Sequence, residues 1–137
     1  MVHFPFISVQ DGKYDEFRQA AGFAKEYIFP GGNLPSLNRL ISAMTASSKL
    51  CVDHVEQIGK HYYQTLTCWR ANFLKNQSKI LSLGFNQEFI RIWEYYFDYC
   101  AAGYKTEILL DYQVVFSRPG KTNDTLGDPY KTAITAY

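Results

Sequence analysis

Residues 108–117 read ILLDYQVVFS. Ile108, Leu110, Tyr112, Val114 and Phe116 recur at every second position, so one face of an extended segment is apolar along its whole length. Arg118-Pro119-Gly120 ends the run. Just upstream, Asn86 is a good N-cap and Glu88 suits the first turn of a helix running to about Gly103. Phe89, Trp93, Tyr96 and Cys100 share one face of it, and Ile92, Tyr95 and Tyr99 widen that face. A helix apolar over so much of its surface is covered from more than one side. A clean strand following such a helix predicts a mixed α/β domain.

The rest of the chain fits around this pair. Tyr62, Leu66, Trp69 and Phe73 form the stripe of a helix over 60–82, and Gly84 suits its left-handed cap. Residues 50–58 (LCVDHVEQI) are β-branched and predict a second strand, closed by Gly59. Another helix opens at Leu34-Pro35-Ser36, carries Leu37, Leu40, Ile41 and Met44, and ends near Ser47. Asp11 is placed to cap a helix through about Phe29, with Tyr14, Phe17, Ala21, Ala24 and Ile28 on one face, ended by Pro30-Gly31-Gly32. Residues 1–10 read as a short extended lead-in, with Pro5 against helix. The segment 121–137 is polar and aperiodic, and is expected to be a disordered tail.

The 137 residues are one domain's worth. The hydrophobic fraction is 47% and the charged fraction 20%, which excludes a disordered chain. A net charge of +1 with scattered basic residues argues against a nucleic-acid partner. Aromatic residues make up 17%, which calls for a large core or a broad apolar surface. Three widely spaced cysteines do not suit a secreted disulfide framework, so a cytoplasmic setting is expected. No stretch has the roughly 18 apolar residues of a membrane span.

Four constellations could carry chemistry. Cys51, His54, His61 and Cys68 are zinc-ligand types, but their spacing matches no common finger, and Cys51 and His54 point to opposite faces of a strand. Cys100 could be a nucleophile, yet it has neither a nearby His in sequence nor a helix N-terminus, and reads as a buried apolar Cys. His61-Tyr62-Tyr63 sits at a strand-to-helix junction, where α/β proteins place site residues; Tyr62 equally leads the core stripe. The Tyr-rich helices could face an acyl chain or simply the core. There is no G-x-G-x-x-G or P-loop pattern.

Several strings together resemble one family. They are Glu26-Tyr27-Ile28-Phe29-Pro30-Gly31-Gly32 with Leu34-Pro35-Ser36, the segment Val52 to Gly59, and His61-Tyr62-Tyr63-Gln64-Thr65-Leu66 with Trp69. Tyr95-Tyr96-Phe97-Asp98-Tyr99-Cys100-Ala101-Ala102-Gly103 and Gln113-Val114-Val115-Phe116-Ser117-Arg118 complete the series. Over roughly residues 6–120 the chain is similar to the C-terminal part of the cyclopropane-fatty-acyl-phospholipid synthases, the group that includes the mycolic acid cyclopropane synthases.

The resemblance implies a seven-stranded, S-adenosylmethionine-dependent methyltransferase fold. Residues 1–120 would be about the last third of that catalytic domain, as about four helices and two antiparallel strands. The implied reaction methylates the cis double bond of a phospholipid acyl chain, with bicarbonate as proton acceptor. Tyr62 matches a tyrosine that helps hold the bicarbonate. Cys100 matches a cysteine near the acyl-chain pocket that the chemistry does not require. The family's glycine-rich cofactor loop, its ribose-binding acid and its other bicarbonate ligands all precede the region of resemblance.

Neither S-adenosylmethionine nor bicarbonate is therefore expected to bind this chain alone, and the chain alone is expected to be inactive. The rival expectation is a non-catalytic module that binds lipid or docks on a synthase. Peripheral contact with a membrane fits either. With the fifth strand placed outside the chain, strand 108–117 is expected to show a bare apolar edge and to self-associate through it.

Overall fold

The structure, a computed structural model, describes residues 2–118. Its centre is a three-stranded sheet in the order β1-β3-β2. Strand β1 (Val2–Val9) runs antiparallel to β3 (Leu109–Ser117), in register from Val2 opposite Phe116 to Val9 opposite Leu109. Strand β2 (Cys51–Gln57) pairs antiparallel on the other side, with an irregularity between Val52 and His54.

This corrects two expectations. The lead-in is a full strand, so there are three strands and not two. Strand β3 is then central, and the edge expected to be bare is covered by β1. Flanking β3 on the side away from β2, strand β1 takes the place expected of the missing fifth strand. The extended lead-in with Pro5 against helix is consistent with this strand, but its pairing with β3 is not signalled in the local sequence; proline is tolerated where a strand lies at a sheet edge. The motive for self-association through β3 goes with it.

The helix expected over 11–29 is broken. A 3-10 turn (Asp11–Lys13) leads into α1 (Tyr14–Gln19), and after an extended Ala20 a π-helical turn spans Ala24–Ile28. The small residues Ala20-Ala21-Gly22 give the helix nothing to pack with between its two apolar ends. The Lys25 ammonium donates to the carbonyls of Phe17, Arg18 and Ala20, closing the end of α1. Asp11 caps no helix of its own; its Oδ1 accepts from the Asn38 N–H, at 3.0 Å, in the first turn of α2 (Leu37–Ser47). Ser36 caps α2 by accepting from Arg39 N–H.

The helix expected over 60–82 is two, α3 (Gly59–Lys75) and α4 (Gln77–Ser82), divided at Asn76. Gly84 has φ 94°, as a left-handed cap requires. Helix α5 (Gln87–Lys105) is capped by Asn86, whose Oδ1 accepts from Phe89 N–H at 2.9 Å. Helices α3 and α5 pack on each other through Leu66, Phe97, Cys100, Ala101 and Tyr104. Arg70 of α3 ties them outside the core, donating to Glu94 and to Asp98. At the end of α5, a Cβ on Gly103 would lie 2.8 Å from Leu109 Cδ1, so glycine lets the helix seat closely on the start of β3.

The broad apolar face of α5 is only partly covered. Phe23 packs edge-on against Tyr95 at 4.6 Å between ring centroids, yet Tyr95 stays 55% exposed. Among the described residues no helix is long and apolar enough to cross a membrane. The expected tail over 121–137 lies outside the described residues.

Candidate functional site

A cavity of about 590 Å³ opens between α3, α5, the 20–34 segment, the end of β1 and the start of β3. That is within the range of sites for small ligands. Its wall is mostly apolar and aromatic: Ile7 from β1, Phe29 from the π-helical turn, Leu66 and Trp69 from α3, Tyr96 from α5 and Leu109 from β3. Both residues singled out from the sequence line it. Tyr62 enters from the first turns of α3, and Cys100 from the middle of α5.

The Tyr62 ring stacks on Tyr104 at 5.0 Å between centroids. Burial raises its phenol pKa, and the Asp111 carboxylate nearby raises it further. Burial likewise pushes up the Cys100 thiol, although hydrogen bonding with Tyr96 pulls the other way. A thiol so shifted stays protonated at neutral pH and is a poor nucleophile. Cys100 shapes the wall as a small apolar group.

The structure adds a residue that sequence reading passed over. Asp111, on β3, is 3% exposed, and its Oδ1 has no hydrogen-bond partner. The Tyr104 hydroxyl is also buried without a partner. Burial raises the Asp111 carboxyl, and Tyr62 lowers it in part. In the sequence, Asp111 falls on the face of the strand opposite Leu110 and Tyr112, where a polar residue looks solvated. What buries it is the close approach of α3. A Cβ on Gly59 would lie 3.0 Å from the Asp111 backbone nitrogen and 3.4 Å from a Tyr104 ring carbon. Ile58 N–H also donates to the Asp111 carbonyl at 2.8 Å.

The four zinc-type residues do not converge on this cavity. Cys51 and His54 are exposed on β2, and His61 and Cys68 are exposed on α3. Among the described residues no group of three or more His, Cys, Asp and Glu could hold a metal ion.

Solved structures share this arrangement. The mycolic acid cyclopropane synthase CmaA1 complexed with SAH and CTAB superposes with a TM-score of 0.72 at 23% identity, over 83% of this chain and 42% of that one. The cyclopropane synthase MmaA2 from Mycobacterium tuberculosis also gives 0.72, at 16% identity, over 85% of this chain and 43% of that one. The sheet and its helices are thus part of the fold of these cyclopropane synthases.

The family model described as mycolic acid cyclopropane synthetase matches residues 1–114, and the chain belongs to that family. The tuberculostearic acid methyltransferase UfaA1 of Mycobacterium tuberculosis is 34% identical over 103 residues, 75% of this chain and 24% of that protein. The cyclopropane-fatty-acyl-phospholipid synthase of Escherichia coli strain K12 is 31% identical over 93 residues, 68% of this chain and 24% of that protein. The chain thus matches about a quarter of the length of these curated relatives.

Proposed function

We infer that these residues form the acyl-chain-binding part of a lipid methyltransferase, whose intact catalytic domain adds a one-carbon unit to the cis double bond of a phospholipid acyl chain. The observation that carries this reading is the cavity. It is long on aromatic and aliphatic wall and short on polar groups, as a hydrocarbon chain requires, and Tyr62 is placed on its wall. Both curated relatives are named for lipid acyl groups, a tuberculostearic acid methyltransferase and a cyclopropane-fatty-acyl-phospholipid synthase, which supports the same substrate class.

The cavity does not suit the cofactor. S-adenosylmethionine brings a ribose and a sulfonium cation, and no carboxylate lines this wall. The one charged lining residue, Lys25, points its ammonium at three backbone carbonyls. In this reading the cavity takes the acyl chain and not the methyl donor. A bicarbonate fits one group here, the Tyr62 hydroxyl; the next polar group, Asp111, is a carboxylate and would oppose a second anion. In this reading Tyr62 marks the end of the cavity where the double bond reacts and contributes one contact to the proton acceptor, which supplies the base when bound. Leu66, Cys100 and Leu109 hold the chain and exclude water.

Photolabelling tests the reading. A phospholipid carrying a diazirine near the middle of an acyl chain should label Trp69, Tyr96 or Tyr99, as mapped by mass spectrometry. Labelling confined to β2 and α4, away from the cavity, would contradict it.

A further inference from the structure

Tyr62, Tyr104 and Asp111 form a small polar cluster behind an apolar cavity. The Asp111 side chain is almost wholly buried and Oδ1 lacks a partner. A buried carboxylate without a donor is costly, so such groups are found hydrogen-bonded. A Cβ on Gly59 would lie 3.0 Å from the Asp111 backbone nitrogen and 3.4 Å from a Tyr104 ring carbon, and Tyr62 stacks on Tyr104. Both phenols thus gather beside Asp111, whose charge raises the pKa of each. The two phenols are not equivalent. Tyr104 is buried in the α3–α5 core at 4% exposure, while Tyr62 is only partly buried and sits at the cavity wall. The stack of the two rings fixes the plane of Tyr62 and leaves the rotation of its O–H free.

We propose that Asp111 is the positioning residue for Tyr62: it accepts the phenol's hydrogen, so that the hydroxyl oxygen presents its lone pairs to the cavity. The consequence is chemical. A hydroxyl held in this way acts as an acceptor on its open side, and it faces a substrate that becomes positively charged when its double bond is methylated. It turns a partial negative charge toward that cation, and its contact with the proton acceptor is made by accepting the hydrogen of the bicarbonate O–H. The cluster is built for this by backbone packing. Gly59 admits the start of α3 against the Asp111 backbone, where a Cβ would press on the Asp111 nitrogen at 3.0 Å. This inference rests on the reading of Tyr62 as the polar group at the reacting end of the cavity.

The test uses the 137-residue chain itself and needs no turnover. With 3-fluorotyrosine placed at position 62, fluorine NMR follows the phenol through its titration. Asp111→Asn should shift that titration downward, because the neighbouring negative charge is gone. Reciprocally, Tyr62→Phe should shift the Asp111 carboxyl, followed by carbon NMR, upward, because its donor is gone. The second measurement still decides if Asp111→Asn fails to fold. Tyr104→Phe should leave the coupling between the two groups in place. Unmoved titrations in both directions, or coupling that vanishes in Tyr104→Phe, would overturn the proposal. Binding of an oleoyl lipid in the same samples separates the two claims: its absence removes the cavity reading, while the titrations alone decide on Asp111.

Discussion

Replacing Phe116 by alanine measures how central β3 is. Phe116 is the largest of the fully buried side chains and is 0% exposed, because β1 and β2 both flank it, through Val2 and Val52. Burying a phenylalanine contributes about 2–3 kcal/mol of transfer free energy. The cavity left in a close-packed interior raises the total cost of Phe→Ala to about 3–5 kcal/mol. For a domain of this size that is a fall in Tm on the order of 10–20 °C. Phe4, on the outer strand β1, is 42% exposed, so Phe4→Ala should cost about half as much or less. Urea unfolding followed by circular dichroism, with m values unchanged, gives both numbers. If β3 were an edge strand, Phe116 would lose a flanking strand and its replacement would resemble that of Phe4. A loss below about 1.5 kcal/mol, or equal losses at the two positions, would refute the three-stranded arrangement.

Three further outcomes are expected. Asn86→Ala removes the α5 cap and should cost about 1 kcal/mol by urea titration, while Asn86→Gly should cost only a few tenths. Asp111 has a folded-state pKa above its unfolded value, so the native state binds the extra proton and stability is lost as pH rises through that interval. Asp111→Asn should therefore gain on the parent chain as pH is raised from about 4 toward neutrality, and a difference that stays flat across that range would contradict the burial of the carboxylate. Calorimetric titration of the chain with S-adenosylmethionine should give no saturable heat; one-to-one binding would show that these residues do build a cofactor site.

The α3–α5 pair was legible because its signal is local. Leu66 and Cys100, both read onto apolar stripes by helical periodicity, do lie in the α3–α5 core. Phe97 and Tyr104 of that core fell outside the stripe read for α5, while Trp69, Tyr95 and Tyr99, which were read as stripe residues, are exposed. Strand β3 was legible for the same reason. Strand β1 was not: what makes it a strand is pairing with residues more than a hundred positions away. The break in the 11–29 segment was equally hidden, since the stripe of Tyr14, Phe17, Ala21, Ala24 and Ile28 runs straight through it and only Gly22 speaks against helix there. At the site, Tyr62 and Cys100 were found through resemblance, and the cavity brings both to one wall. Asp111 gave no signal, because alternation places it among the solvated positions of β3. Its burial depends on the absence of a side chain at Gly59, a contact between distant parts of the chain.

The central claim is that the cavity between α3 and α5 takes a hydrocarbon chain. Titration of the 137-residue chain with a single-chain oleoyl phospholipid, below its micelle concentration and followed by the fluorescence of Trp69 on the cavity wall, tests it most directly. The account predicts a saturable blue shift with one-to-one stoichiometry, abolished by Ala21→Phe, which places a large ring in the cavity without adding a fluorophore that emits with tryptophan. A shift that never saturates, or that survives Ala21→Phe unchanged, would contradict it.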